Sequence, residues 1–428
     1  MATTTATAFH REIEYVSPTR QRVIGALFVI LGLGIWYLFS RSIQAGTVTK
    51  FGMTPGGIQA AMPDMVLPSL ATLNLLAILS GILGLIQLAI RGGFKRYTNW
   101  ILGLVAAFFI FSFLTWAAAG KSLSLAGLLN VSLSKAVPLT LGALAGVLSE
   151  RAGVVNIAIE GMMLSAALTG CLVASITHNL WMGVLAGVVT GALYGVVHGV
   201  LSIKYKVNQI ISGTAINIFS TGITSFISAK FMEEYPDLNN SGVFPTVAVP
   251  LLSKIPFLGP ILFNNNMYVY AMYILLVVIT IALFYTRWGL RMRSVGEHPK
   301  AADTLGINVF RTRYMAVMLG AMMAGFAGTY FTLGSVGRFD EVMTAGRGFI
   351  SLAAMIFGNW TPFGSFGAGL LFGFTDSLAS KLAILRVQIP SQFLLMAPYV
   401  ATMVVLAGVV GRGQMPADDG NAYEKEGG

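Results

Sequence analysis

Of the 428 residues, 55% are hydrophobic and 10% charged, and the mean hydropathy is +0.75. A chain this poor in polar groups cannot cover a soluble globule, so it is an integral membrane protein. The formal charge of +10 would suggest nucleic acid in a soluble protein. Here Lys and Arg gather in short loops, where they set orientation and meet anionic headgroups, and nucleic acid is discounted as a partner. The single cysteine, Cys171, lies in an apolar run and allows no intrachain disulfide.

In chain order, Arg11, Arg20 and Arg22 precede an apolar run at 23–39. A signal peptide shares that polarity but has a shorter core, so the run is read as a first anchor span that is retained. The loop at 40–64 is rich in Gly and Thr and poor in cations, as an outer loop should be. Apolar runs at 65–90 and 100–119 flank Arg91, Lys95 and Arg96, which mark an inner turn. The organisation expected is a cytosolic tail over 1–22, an extension of about three spans over 23–122, a core over 123–412 and a cytosolic polar tail over 413–428.

Within the core, apolar runs occupy 123–148, 154–176, 182–203 and 210–230, with Lys204 and Lys206 at an inner turn. The longest outer loop follows at 231–266, broken by prolines and by Asn264, Asn265 and Asn266. A span at 267–286 leads into the basic island 287–313, and further runs lie at 314–333, 349–357, 363–380 and 393–410. The run at 349–357 is well short of the ~20 residues a crossing needs, so it reads as a half helix or re-entrant turn covered by protein.

The island carries Arg287, Arg291, Arg293, Lys300, Arg311 and Arg313, which places it in the cytosol. Pro299 presets a first helical position with His298 at the N-cap, and Gly306 ends the turn. Ala301, Ala302, Leu305 and Ile307 give that short helix a small apolar face, suited to lie against the rest of this protein or a second one.

Enzymatic signatures are missing: there is no GxxxxGK[ST], HExxH or CxxC, and His10, His178, His198 and His298 stand far apart. Glycines spaced by four, at 142 and 146, 183 and 187, and 191 and 195, predict close helix packing. Glu160 is more telling, because a carboxylate at a span centre costs roughly 2.5–3.5 kcal/mol to insert. On a continuous helix Asn156 and Glu160 share one face and can point into the bundle or a watery cavity; the alternative is an interhelical hydrogen bond or a boundary position near the cytosolic headgroups, about two to three turns from Glu150 and Arg151. Asn74, Asn130, Asn217, Asn359 and Asp376 are further polar groups in or beside apolar runs, each individually read as interhelical glue.

Three motifs stand in one order: SERAGVVNIAIEGMML at 149–164, SVGEHPKAADTLGINV at 294–309 and GRGFISLAAMIFGNW at 346–360. Together they resemble the permease subunits of bacterial ABC importers of the simple-sugar and nucleoside branch, most closely the nucleoside permeases that work with basic membrane lipoproteins. The resemblance covers roughly 128–412 and leaves the N-terminal extension without a role. It implies an all-α polytopic bundle of about 10–12 spans, some of them broken, in the bacterial cytoplasmic membrane. It implies that the island holds a coupling helix for a separate ATP-binding subunit, with Gly296, Glu297, Pro299, Ala301, Ala302 and Gly306 at the contact and Arg291 beside them. The chain then carries no cofactor of its own, ATP and magnesium acting on that subunit. The other implied partners are a second permease subunit, an extracytoplasmic substrate-binding lipoprotein and the bilayer. Asn156, Glu160, Asn217, Phe219, Phe331 and Trp360 are the candidates for the cargo path, nucleosides or related purines being the expected cargo. A simple-sugar permease, or a secondary transporter or channel using Glu160, is the alternative.

Overall fold

The computed structural model describes residues 18–56, 62–90, 93–385 and 415–425, together with 387, 393 and 396. The apolar run expected at 393–410 therefore lies largely outside the described residues. Among them, nine helices are long and apolar enough to cross a membrane. Two compact units divide the chain, 1–125 with 384–387, and 126–383 with 388–428.

Among the described residues the first unit holds three α-helices. α1 (Pro18–Gly34) tightens through a π turn at Ile35–Phe39, and α2 (Ser69–Ala89) and α3 (Thr98–Ala117) follow. Glycine lets α1 and α2 touch: a Cβ at Gly32 would sit 2.8 Å from the Ala77 carbonyl oxygen. Their amide side chains are buried at one end, where Gln87 bonds Gln21 and Thr98 donates to Gln21 at 3.1 Å. A small sheet departs from the purely helical expectation. β1 (Val48–Gly52) pairs antiparallel with β2 (Met65–Pro68) and parallel with β3 (Ser122–Ser124).

In the second unit α4 (Leu125–Glu150), α5 (Ile159–Thr177) and α12 (Val309–Thr329) are the buried centre. Around them lie α6 (Leu180–Gly199), α7 (Gln209–Ile227) and α9 (Met267–Tyr285), with the short α8 (Leu258–Leu262) in the loop before α9. That loop also contains a two-residue ladder, β4 (Val247–Ala248) on β5 (Asn264–Asn265). The glycine spacing on α6 does what it predicts: a Cβ at Gly191 would meet the Ala321 carbonyl oxygen of α12 at 2.3 Å. The basic island folds as α10 (Arg287–Glu297) and α11 (Pro299–Thr304).

The short apolar run is α13 (Arg347–Phe357), about 16 Å of helix and so half of a ~30 Å hydrocarbon layer. It enters through Gly346 at φ +79° and leaves through Asn359 and Trp360, both left-handed, before α14 (Pro362–Ile384). Left-handed non-glycine residues cost roughly 1–2 kcal/mol each. Arg151 offsets this by donating to the Trp360 and Asn359 carbonyls at 2.9 and 3.2 Å.

Candidate functional site

Two clusters of polar side chains interrupt the apolar bundle, one at the C-terminal end of α4 and one near its middle. At the basic end, α4 finishes in Glu150, whose carboxylate accepts from the Trp360 indole at 2.6 Å. Residues 151–158 then form an irregular segment, and α5 begins only at Ile159. Asn156 and Glu160 therefore do not share a continuous helical face. The segment is pinned by side chains: the Val155 amide donates to Gln209 at 2.6 Å, and the Val155 carbonyl lies 3.0 Å from the His198 ring.

Glu160 itself faces the start of α13. Its two oxygens accept from Thr344 at 2.6 Å, the Gly346 amide at 2.8 Å and the Gly348 amide at 2.6 Å. A carboxylate is thus placed on the orphan amides of a half helix, where the helix dipole favours negative charge and the insertion cost is offset. With three donors on two oxygens, the group is engaged as a cap. Of the other expected path residues, Asn217 has both ends of its amide committed, accepting from Gly161 at 2.8 Å and donating to Ile157 at 2.9 Å. Asn156 is buried and turns back on Ala158, Phe331 is buried, and Phe219 is exposed on α7.

Near the α13 entrance Asp376, already read as interhelical glue, meets two cations that the sequence reading did not single out. Lys135 of α4 pairs with Asp376 of α14 at 3.2 Å, and Arg347, the first residue of α13, approaches the same oxygen at 4.0 Å. The Arg347 guanidinium sits 5.7 Å from the centre of the Phe331 ring, a cation–π distance. A lone lysine inside an apolar run was the available signal.

At the basic end the expected coupling residues fall into two groups. Pro299 is the first residue of α11 and His298 caps it, Nδ1 accepting from the Ala301 amide at 3.2 Å. Gly306 turns the chain at φ +80°. Glu297, Ala301, Leu305 and Gly306 are exposed, Leu305 at 82%, as is Arg291 on α10. Gly296 and Ala302 are buried, and Ala302 packs against Val295, Val309 and Tyr423. Of the small face of α11, Ala302 therefore lies on this protein, whereas Ala301 and Leu305 stay exposed.

Tyr423 belongs to a segment that sequence reading treated as a polar tail. Residues 415–425 are seated across the basic end as a strap. Asp418 pairs with the buried Arg313 of α12 at 2.7 Å, and Arg313 also donates to the Asn421 carbonyl at 2.7 Å. The Asp418 amide donates to the Gly296 carbonyl at 2.9 Å, and the Ala417 amide to Glu297 at 3.2 Å. Burial pushes the Asp419 carboxyl up to about 7, against the pull of Arg313. Lys206 closes the strap on Glu424 at 2.6 Å.

A polytopic helical bundle with a capped half helix at its centre and a braced basic island at one end defines a membrane transport protein. Residues 127–410 match the family described as the permease component of the branched-chain amino acid transport system, and the chain belongs to that family. It is similar to the guanosine ABC transporter permease protein NupQ of Bacillus subtilis, 39% identical over 304 residues, covering 68% of this chain and 94% of the relative. The nucleoside ABC transporter permease protein NupC of Lactococcus lactis is 38% identical, over 67% of this chain and 93% of its own length. A putative glucose ABC transporter permease protein of Haloferax volcanii, TsgC13, is 35% identical, over 59% and 77%. No solved structure matches. This chain is a multi-pass membrane permease, as the motifs and the island led one to expect.

Proposed function

We propose that this chain is the transmembrane subunit of an ATP-driven importer of nucleosides or related purine compounds. ATP, with magnesium, is hydrolysed by a separate subunit that seats on the exposed side of α10 and α11, at Arg291, Glu297, Ala301, Leu305 and Gly306. A second permease subunit and an extracytoplasmic binding lipoprotein complete the assembly. The observation that carries the cargo class is the pair of relatives named for guanosine and nucleosides, each matched over more than nine-tenths of its length. The low charge of the spans supports it, since a strongly ionic cargo would need unbalanced Lys or Arg in the bundle. A simple sugar is the second reading, carried by the relative named for glucose.

Uptake of labelled nucleoside into proteoliposomes holding the whole system tests this. The expected result is uptake that needs ATP and is competed by unlabelled nucleosides. Competition by ribose or galactose alone would remove the nucleoside reading and leave the importer standing; uptake without the ATP-binding subunit would remove the importer.

A further inference from the structure

Lys135, Arg347 and Asp376 meet at a depth where charge is expensive. Lys135 stands fifteen residues from the end of α4 at Glu150, and Asp376 fourteen residues from the start of α14 at Pro362, about 22 and 21 Å along their helices. Yet the side chains of Lys135, Arg347 and Asp376 keep 26%, 33% and 35% of their surface exposed. Charge exposed at such a depth does not face acyl chains; it faces water or other protein.

The donors and acceptors in the group are arranged unequally. Lys135 Nζ also donates to the Asp376 carbonyl at 3.2 Å and to Ser380 at 2.9 Å. Arg347 is held from behind by the Phe331 ring and donates to the Met343 and Thr344 carbonyls, each at 3.3 Å. Both cations address the same Asp376 oxygen, Oδ2, and among the described residues no donor meets Oδ1. Glu160, on the amides flanking Arg347, completes the set. Two cations and two carboxylates sum to zero, so an anion finds no excess positive charge, whereas a neutral molecule finds a free carboxylate oxygen beside ammonium and guanidinium donors.

We propose that Lys135, Arg347 and Asp376, with Glu160 balancing their charge, form a station on the permeation path that binds the hydroxyl groups of a neutral cargo. Asp376 Oδ1 accepts from a vicinal diol, and Lys135 and Arg347 donate to the cargo's oxygens. This deepens the nucleoside-importer reading and rests on it. The station is weak by design: a cargo delivered by a binding protein has to leave again.

The complete importer in proteoliposomes supplies the test, with adenosine as cargo and 2′,3′-dideoxyadenosine as the analogue lacking the diol. Wild type should favour adenosine by at least about tenfold, the worth of a hydrogen bond to a charged group. Asp376→Asn should bring that preference within about twofold, and Asp376→Glu should restore part of it. An unchanged preference in Asp376→Asn overturns the proposal. Should that variant not assemble, Ser380→Cys in a Cys171→Ser background gives a second reading. A water-soluble cationic methanethiosulfonate should label it, and adenosine should slow the labelling. No labelling from either aqueous side, or complete oxidative cross-linking between two copies in its place, overturns the station as part of the path. If wild type takes up a sugar and not adenosine, the nucleoside reading fails, while protection of Ser380→Cys by that sugar still decides the station.

Discussion

The two charge clusters of the second unit are built from the same residue types and differ in how they are closed. At the basic end, Arg313 is 2% exposed and touches Asp418 at 2.7 Å, with the strap folded over it. Around Asp376 the pairs are looser, at 3.2 and 4.0 Å, and every member keeps a quarter to a third of its surface open. A buried pair with all partners supplied by the chain is explained by the fold alone. A partly open trio at membrane depth is not, and the difference separates bracing from binding.

The harshest way to break that comparison is Arg313→Met. It strands Asp418 and Asp419 without their cation, and breaking a buried pair costs about 3–5 kcal/mol. Thermal unfolding in detergent should show a lowered Tm. Lys135→Met should leave Tm near wild type, because Arg347 remains beside Asp376, while uptake falls. Equal losses of Tm in the two variants would erase the distinction between the clusters.

Glu160→Gln comes next. Its remaining oxygen serves fewer of the three donors at the start of α13, and hydrogen bonds to a charged group are worth about 1.5–3 kcal/mol. The expected outcome is slower uptake with normal membrane insertion, and greater protease access at 337–346.

A smaller effect follows from acidity. The free strap releases its Asp419 proton near 3.9, whereas the seated carboxyl holds it up to about 7. Seating is therefore strongest below the free value, weakens as pH rises, and is weakest once pH passes about 7. A spin label at Ala422→Cys should become more mobile between pH 6 and 8, the seating constant falling by about tenfold at most. Asp419→Asn should flatten that profile; a profile unchanged in Asp419→Asn would assign the titration to another group. Smallest of all is Lys206→Ala. Its pair with Glu424 is solvent-exposed and screened, so Tm should not change measurably.

Much of this was legible from the chain. Spans announce themselves by length and apolarity, the island by its cations, and the half helix by being too short to cross. Helix packing through the α6 glycines followed from spacing alone. What sequence reading missed depends on contacts between distant residues. Asn156 and Glu160 look like one helical face until Gln209 and His198, from other helices, hold 151–158 out of helix. Residues 415–425 look like a solvated tail because their partners, Arg313 and Gly296, are more than a hundred positions away. Ala302 reads as a partner-facing residue until Tyr423 of that same tail covers it. Lys135 was visible and passed over, although a cation deep in an apolar run deserved the weight given to Glu160.

The strap also sets an order of events during synthesis. Residues 415–425 leave the ribosome after every described span. Until they arrive, Arg313 lacks Asp418, the Gly296 carbonyl lacks the Asp418 amide, and Ala302 lacks Tyr423. A chain released before residue 415 would carry its spans and its island without the brace that fixes α11. The strap thereby makes the seating of α11 depend on residues more than a hundred positions further along the chain.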